Sequence, residues 1–270
     1  MGYQVFTGAV IHQGKYVMVD TANVLGVELA LIKLEDVLAT IQKAIEGNRR
    51  LFISHTNVSG LKIAYEQPWY RDILNSSDIV FCDGMGVILG GRMLGYHIPQ
   101  RFTLADWMYP LAELAEANKY SLFFLGNPPG AAEKAVLYLK EKFPGLLVSG
   151  TQHGYFNKSP GDAENSNVVE YINRVRPDIL LVGLGMPKQE KWLFENWKSL
   201  NVKISITCGA LFEYLSGDLK RGPRWMTEHY LEWLARMIIS PRRYYKRYLR
   251  DNPLFLYRIL KQKYLGVCDK

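Results

Sequence analysis

The chain has 270 residues, 48% of them apolar, enough for one large core as a single domain or a domain with an appendage. Its start lacks the basic-then-apolar pattern of a signal peptide, no run approaches the roughly 18 apolar residues of a membrane span, and Phe6 stands where a myristoylation motif after Gly2 needs Ser or Thr. Three widely spaced cysteines (Cys82, Cys208, Cys268) suit neither a disulfide framework nor a metal site, which fits a reducing cytosol, and the net charge of +7 comes from residues 220–265, where twelve Lys and Arg against three acidic residues give +9, leaving −2 on the rest of the chain.

Residues before Asn23 read as a short strand pair or an unstructured lead. Apolar runs of strand length follow at Val24–Leu31, Leu51–Thr56, Asp78–Cys82, Ser121–Leu125, Leu146–Ser149, Asp178–Val182 and Lys203–Thr207. Most lack polar alternation, as expected when both sheet faces are covered. Helical spacing appears between them, at Leu34–Ile45, Ala131–Phe143, Val168–Val175 and Lys188–Trp197. Strands alternating with helices predict an α/β fold: a Rossmann-like, mostly parallel sheet flanked by helices. Such sheets bind ligands at the carboxyl ends of their strands. The stretch Asn157–Asn165 is the one linker-like loop.

The candidate site residues lie at those strand ends. His55, Thr56 and Asn57 close one strand and suit a sugar or base, or an ordinary turn or cap. Asp83 closes the next, before Gly84 and Gly86. It suits a general base acting on a hydroxyl, or a helix N-cap. Asp78 stands at the opposite, amino end. Arg101 precedes Thr103 and Asp106, and its guanidinium matches a phosphate unless it is simply a surface arginine. Gly126 opens a third turn and Cys208 to Glu213 a fourth. His153 is more readily structural than ligand-binding. In the string from Asp178 to Trp192, Gly183 and Gly185 lead through Pro187 into a helix begun by Lys188, Gln189 and Glu190. Free N–H groups and the helix dipole there favour an anion. Lys188 occupies the place of a third glycine, so this is no dinucleotide fingerprint. Several glycine turns on one sheet edge point to a nucleotide or sugar-nucleotide site. No metal spacing occurs, so no catalytic metal and no cofactor are expected.

The tail from Pro223 reads as helical. An amphipathic stretch at Tyr230–Ile239 is broken by Pro241, a basic, tyrosine-rich stretch follows to Arg250, and a last helix runs from Pro253 to Lys263. Such a segment suits an anionic membrane surface, nucleic acid or a solvated helical cap. The expected division is an α/β domain over 1–219 and a basic, aromatic helical appendage over 220–270.

Taken together, these strings resemble the bacterial WecG/TagA/CpsF glycosyltransferases from Asn23 to Leu256. The resemblance is carried by Val24–Val27, Asn57, Asp83–Gly86, Arg101 with Thr103 and Asp106, Phe124–Gly126, His153–Phe156, Pro177–Leu180, Gly183–Glu190, Gly209–Phe212, Gly217, Arg221–Trp225 and Leu231–Arg236. It implies an inverting transferase that moves N-acetylmannosamine or a related hexose from a UDP-sugar to a polyprenyl-diphosphate-linked sugar, in teichoic acid or exopolysaccharide synthesis. It also implies Asp83 as base, with Asn57, Arg101 and Gln189 as pocket residues, and Arg221 or Arg224 of a membrane-docking tail near the diphosphate. Expected partners are the UDP-sugar, the lipid acceptor and an anionic membrane surface on the cytoplasmic side. Nucleic acid is not expected, and a homo-oligomer is compatible with the sequence. The chain departs from the family pattern at His55, where a threonine is usual, and at Leu104, Glu213 and Gly222. These departures leave the donor sugar open, a glucosyl-type UDP-hexose included.

Overall fold

The computed structural model describes residues 7–12, 15–101, 103–219, 226, 234, 237–238 and 247–266. Six strands form the central parallel sheet: β4 (Leu51–Thr56), β5 (Ile79–Cys82), β6 (Ser121–Gly126), β7 (Leu147–Gln152), β8 (Ile179–Gly183) and β9 (Ile204–Thr207). Their order is β5-β4-β9-β8-β6-β7. β4, β5, β8 and β9 are buried along their whole length; β5 and β8 are the unbroken apolar runs expected of such strands, whereas β4 and β9 also bury Ser54, His55, Thr56, Ser205 and Thr207. Alternate side chains serve opposite faces. Leu122, Phe124, Ile179 and Leu181 join one core, and Phe123, Leu125, Leu180 and Val182 join another.

The α-helices with bounds among the described residues are α1 (Leu34–Glu46), α2 (Val58–Glu66), α3 (Pro68–Asn75), α4 (Met85–Met93), α5 (Leu104–Asn118), α6 (Ala131–Lys142), α7 (Ala163–Val175), α8 (Lys188–Asn196), α9 (Leu211–Leu215) and α10 (Asn252–Leu265), the last preceded by a π-helical turn at Arg247–Asp251. Residues of α1, α5, α6 and α9 cover one face of the sheet, while α7 and α8 and α2, α3 and α4 serve the other. Helices after the neighbouring strands β4 and β9 thus leave on opposite faces, and a crevice opens between them at the carboxyl edge.

Two expectations change. Val24–Leu31 is not one strand. β2 (Lys15–Val24) and β3 (Val27–Ala30) form an antiparallel hairpin, turning at Leu25 (φ 54°) and Gly26 (φ 84°). With β1 (Thr7–His12) they make a separate three-stranded ribbon, so the lead contains the strand pair. The loop at 157–165 is also shorter than expected. Asp162 accepts the Glu164 N–H at 2.9 Å and caps α7, which starts at Ala163.

α10 lies against the body. Phe255 and Ile259 are buried with Val87, Ile88, Leu94 and Ile98. A Cβ on Gly90 would stand 2.6 Å from Phe255, so the contact depends on glycine there. Lys62 bonds Asp251 at 2.9 Å, Arg258 bonds Glu66 at 2.8 Å, and Gln262 bonds the backbone at Asn23 and Leu25. Tyr257 and Tyr264 on the opposite side are exposed.

Candidate active site

The parallel registers align the strand ends. Thr56 pairs with Cys82, Val182 with Thr207, and Gly126 with Gly183. Residues from five separate sequence strings therefore share one edge. Asp78, by contrast, accepts the Phe52 N–H at 2.7 Å at the amino end, away from this edge.

Asp83 holds its place through its backbone, whose N–H donates to the Thr56 carbonyl at 2.8 Å. Its side chain does not cap α4. The N-cap is Gly84, and no side chain fills the cap. The carboxylate is partly exposed, and its charge reaches both His55 and Cys82. The Arg101 charge also reaches Cys82, which places a cation beside the same strand end.

His55 is buried, its ring stacked 5.8 Å from that of Phe81. Nδ1 lies 3.0 Å from both the carbonyl and the hydroxyl oxygen of Thr207. A carbonyl only accepts, so Nδ1 carries the proton of the neutral ring and Nε2 is left as an acceptor facing Gly209. Burial holds the imidazole below the usual histidine value, against the opposing pull of Asp83. The folded state therefore binds this proton less well than the unfolded chain. The resulting penalty is absent above the unfolded value of about 6.5 and grows as pH falls below it. Urea midpoints measured from pH 7.5 to pH 5 should fall for the wild type, and that slope should be shallower in His55→Gln.

The glycine turns are tied together by two amides. Gln189 is fully buried. Its Oε1 accepts the Gly185 N–H at 3.2 Å and the Gly209 N–H at 3.0 Å. Asn127 donates Nδ2 to the carbonyls of Gly183 at 2.7 Å and Gly209 at 2.9 Å. Gly126 has φ 126°, and a Cβ there would stand 2.3 Å from the Gly183 oxygen, so the close approach of these turns requires glycine. The Gly185 N–H, expected to be free for an anion, is thus spent on Gln189. The Gln189 N–H goes to the Gly185 carbonyl at 3.0 Å. Glu190 is also fully buried, and burial pushes its carboxyl up to about 7, against the opposing effect of the hydrogen bond from Gln189.

The remaining expected residues scatter in role. Asn57 caps α2, its Oδ1 accepting the N–H groups of Ser59 at 3.0 Å and Gly60 at 3.3 Å. Thr56 is buried below it. The Thr103 hydroxyl donates to the Asp106 carboxylate in the first turn of α5. Lys188 is exposed at the start of α8, close enough to lower the proton affinity of Lys158, which is first lowered by burial. Glu213 donates its N–H to Asn127 Oδ1 at 3.4 Å. Arg221 and Arg224 lie outside the described residues, as does most of the amphipathic stretch from Tyr230. Among the described residues no three His, Cys, Asp or Glu side chains stand together as a metal site. Asn127 and Thr207 were not singled out in the sequence. The only local signal for Asn127 was its place directly after Gly126 in a glycine- and proline-rich turn.

The model of the glycosyl transferase WecG/TagA/CpsF family matches residues 22–267. Curated relatives share low identity over nearly full length. An N-acetylglucosaminyldiphosphoundecaprenol N-acetyl-beta-D-mannosaminyltransferase of Staphylococcus aureus (strain MRSA252) is 27% identical over 243 residues, 89% of this chain and 92% of the relative. A protein of the same name from Bacillus spizizenii is 26% identical over 219 residues, covering 81% and 82%.

Proposed function

Because the chain belongs to the WecG/TagA/CpsF family of glycosyltransferases, we propose that it transfers N-acetylmannosamine or a related hexose from a UDP-sugar to a polyprenyl-diphosphate-linked sugar, with inversion and with Asp83 as the base. The activity its relatives are named for, transfer of N-acetylmannosamine to N-acetylglucosaminyldiphosphoundecaprenol, supports this sugar and acceptor class. The observation that carries the catalytic assignment is Asp83 itself: a carboxylate at the sheet's carboxyl edge, at a strand end the Arg101 charge also reaches, and not spent on capping the helix that follows it.

In this mechanism Asp83 takes the proton from the acceptor hydroxyl. The hydroxyl oxygen attacks the anomeric carbon as the bond to the UDP oxygen breaks, in one displacement. Arg101 offsets charge on the departing diphosphate, joined by Arg221 or Arg224 of the tail. No metal or cofactor has a role in this scheme.

No helix among the described residues is long and apolar enough to cross a membrane. A lipid-linked acceptor calls for docking on a membrane surface, which in this reading is the cytoplasmic face. The outer stripe of α10 suits this: Tyr257, Leu260 and Tyr264 are exposed at one helical spacing, with the exposed Leu249 and Arg250 just before them. A panel of UDP-sugars with a short polyprenyl-diphosphate-N-acetylglucosamine analogue, read by UDP release, tests the proposal. Turnover with one donor names the sugar, and absence of UDP binding overturns the reading.

A further inference from the structure

Glu190 lies directly beneath the turn that faces the crevice, yet none of its surface reaches solvent. What it touches is Gln189, whose Nε2 donates to Glu190 Oε1 at 2.7 Å. The same Gln189 amide presents its oxygen to two backbone donors, Gly185 and Gly209. An amide has one acceptor end and one donor end. Turned round, Gln189 would set its NH2 against two N–H groups, donor against donor. An acceptor at position 190 and the two glycine donors therefore demand the same orientation from opposite ends of one side chain.

The Gly209 peptide is held from both sides. Gln189 takes its N–H, and Asn127 donates to its carbonyl. Gly209 also borders His55 Nε2. The orientation of Gln189 thus bears on the floor of the crevice between β4 and β9.

Behind Glu190 stands Tyr70 of α3, also buried. The Tyr70 hydroxyl and Glu190 Oε2 face each other, and neither has a closed hydrogen bond to any other group. No cation pairs with this carboxylate among the described ion pairs. A buried carboxylate without a counter-ion is costly to the fold. It is explained more readily by what it does for Gln189 than by stability.

We infer that Glu190 is a positioning residue that orients the Gln189 amide, and through it the Gly185 and Gly209 turns, for binding of the nucleotide-sugar. The inference rests on the transferase reading only for the ligand's identity. The clamp itself is independent of it.

The test compares wild type, Glu190→Gln, Glu190→Leu, Gln189→Ala and the double variant Gln189→Ala/Glu190→Leu. Amide exchange is followed at the glycines of 15N-glycine-labelled protein, with Gly90 and Gly91 on α4 as distant controls. Loss of the acceptor in Glu190→Leu should speed exchange at Gly185 and Gly209 by about tenfold, the worth of one hydrogen bond, while Gly90 and Gly91 stay protected and the melting temperature does not fall. Glu190→Gln keeps an acceptor oxygen and should match wild type at both sites. In turnover with the UDP-sugar, Glu190→Leu should lose about 10-fold to 100-fold. Glu190→Gln should stay within about twofold, and the double variant should be no worse than Gln189→Ala, because the two residues act in series. Unchanged exchange at Gly209 in Glu190→Leu, equal loss in the Gln and Leu variants, or equal acceleration at Gly90 and Gly91 would each overturn the inference. A wild type that turns over no UDP-sugar but shows the exchange pattern would sink the transferase reading and leave the clamp standing.

Discussion

Asp83→Asn is expected to lower turnover by about 10²-fold to 10⁴-fold, the range for loss of a general base, with little change in stability. The two halves of that expectation come from the same geometry. Asn is nearly the same shape as Asp, and the Asp83 side chain neither caps α4 nor is buried, so the fold gives up no cap bond when the charge is removed. The backbone bond from Asp83 to Thr56 survives the exchange. What disappears is the capacity to take a proton from the acceptor hydroxyl. UDP release at saturating donor and acceptor, with a melting curve on the same sample, separates the two. Near-normal turnover in a folded Asp83→Asn protein would remove Asp83 from the mechanism.

Phe255→Ala should destabilise the whole protein by about 3–5 kcal/mol, the usual cost of deleting a buried phenylalanine ring. Phe255 sits in α10, in the segment expected from sequence to be an appendage. Yet it is 3% exposed and packs into the same core as Leu61, Val87 and Leu94. Were α10 loosely tethered, the substitution would behave like a surface change and cost within about 0.5 kcal/mol. Urea unfolding followed by tryptophan fluorescence distinguishes the two. The same packing means that a chain truncated before Pro223 would lose part of its core along with its basic stripe. Membrane docking is better tested by changing Tyr257, Leu260 and Tyr264, which face outward.

The parallel sheet was legible because its strands are short apolar-rich runs, unbroken in β5 and β8. Leu51–Thr56 coincides with β4, and five other runs lie within a few residues of their strands. The turn at Leu25 was not legible, since a leucine at positive φ carries none of the Asn-Gly signal of a hairpin. Helices α2, α3 and α5 were also missed. Pro68 stands at the N-terminus of α3, where its missing N–H costs nothing, and Pro110 sits inside α5 where it looks like a breaker. At the site, sequence brought the right strings to one edge but not their roles. Asn57 can be read as ligand or as cap from its place in the string, and only the bonds to Ser59 and Gly60 show the cap. Nothing in a linear pattern shows that the Gln189 side chain turns back onto Gly185 and reaches across to Gly209, twenty residues on.

The strand order has a consequence for how the molecule is made. β9 lies between β4 and β8, yet it is the last strand of the sheet to be synthesised. Until residues 204–207 leave the ribosome, the half-sheet β5-β4 and the half-sheet β8-β6-β7 each end in an unpaired edge strand that is buried in the finished sheet. Such edges are templates for association with other chains, and pairing between distant strands is slow. The interval between completing β8 and inserting β9 is therefore when the nascent protein is most exposed to aggregation and most in need of a chaperone.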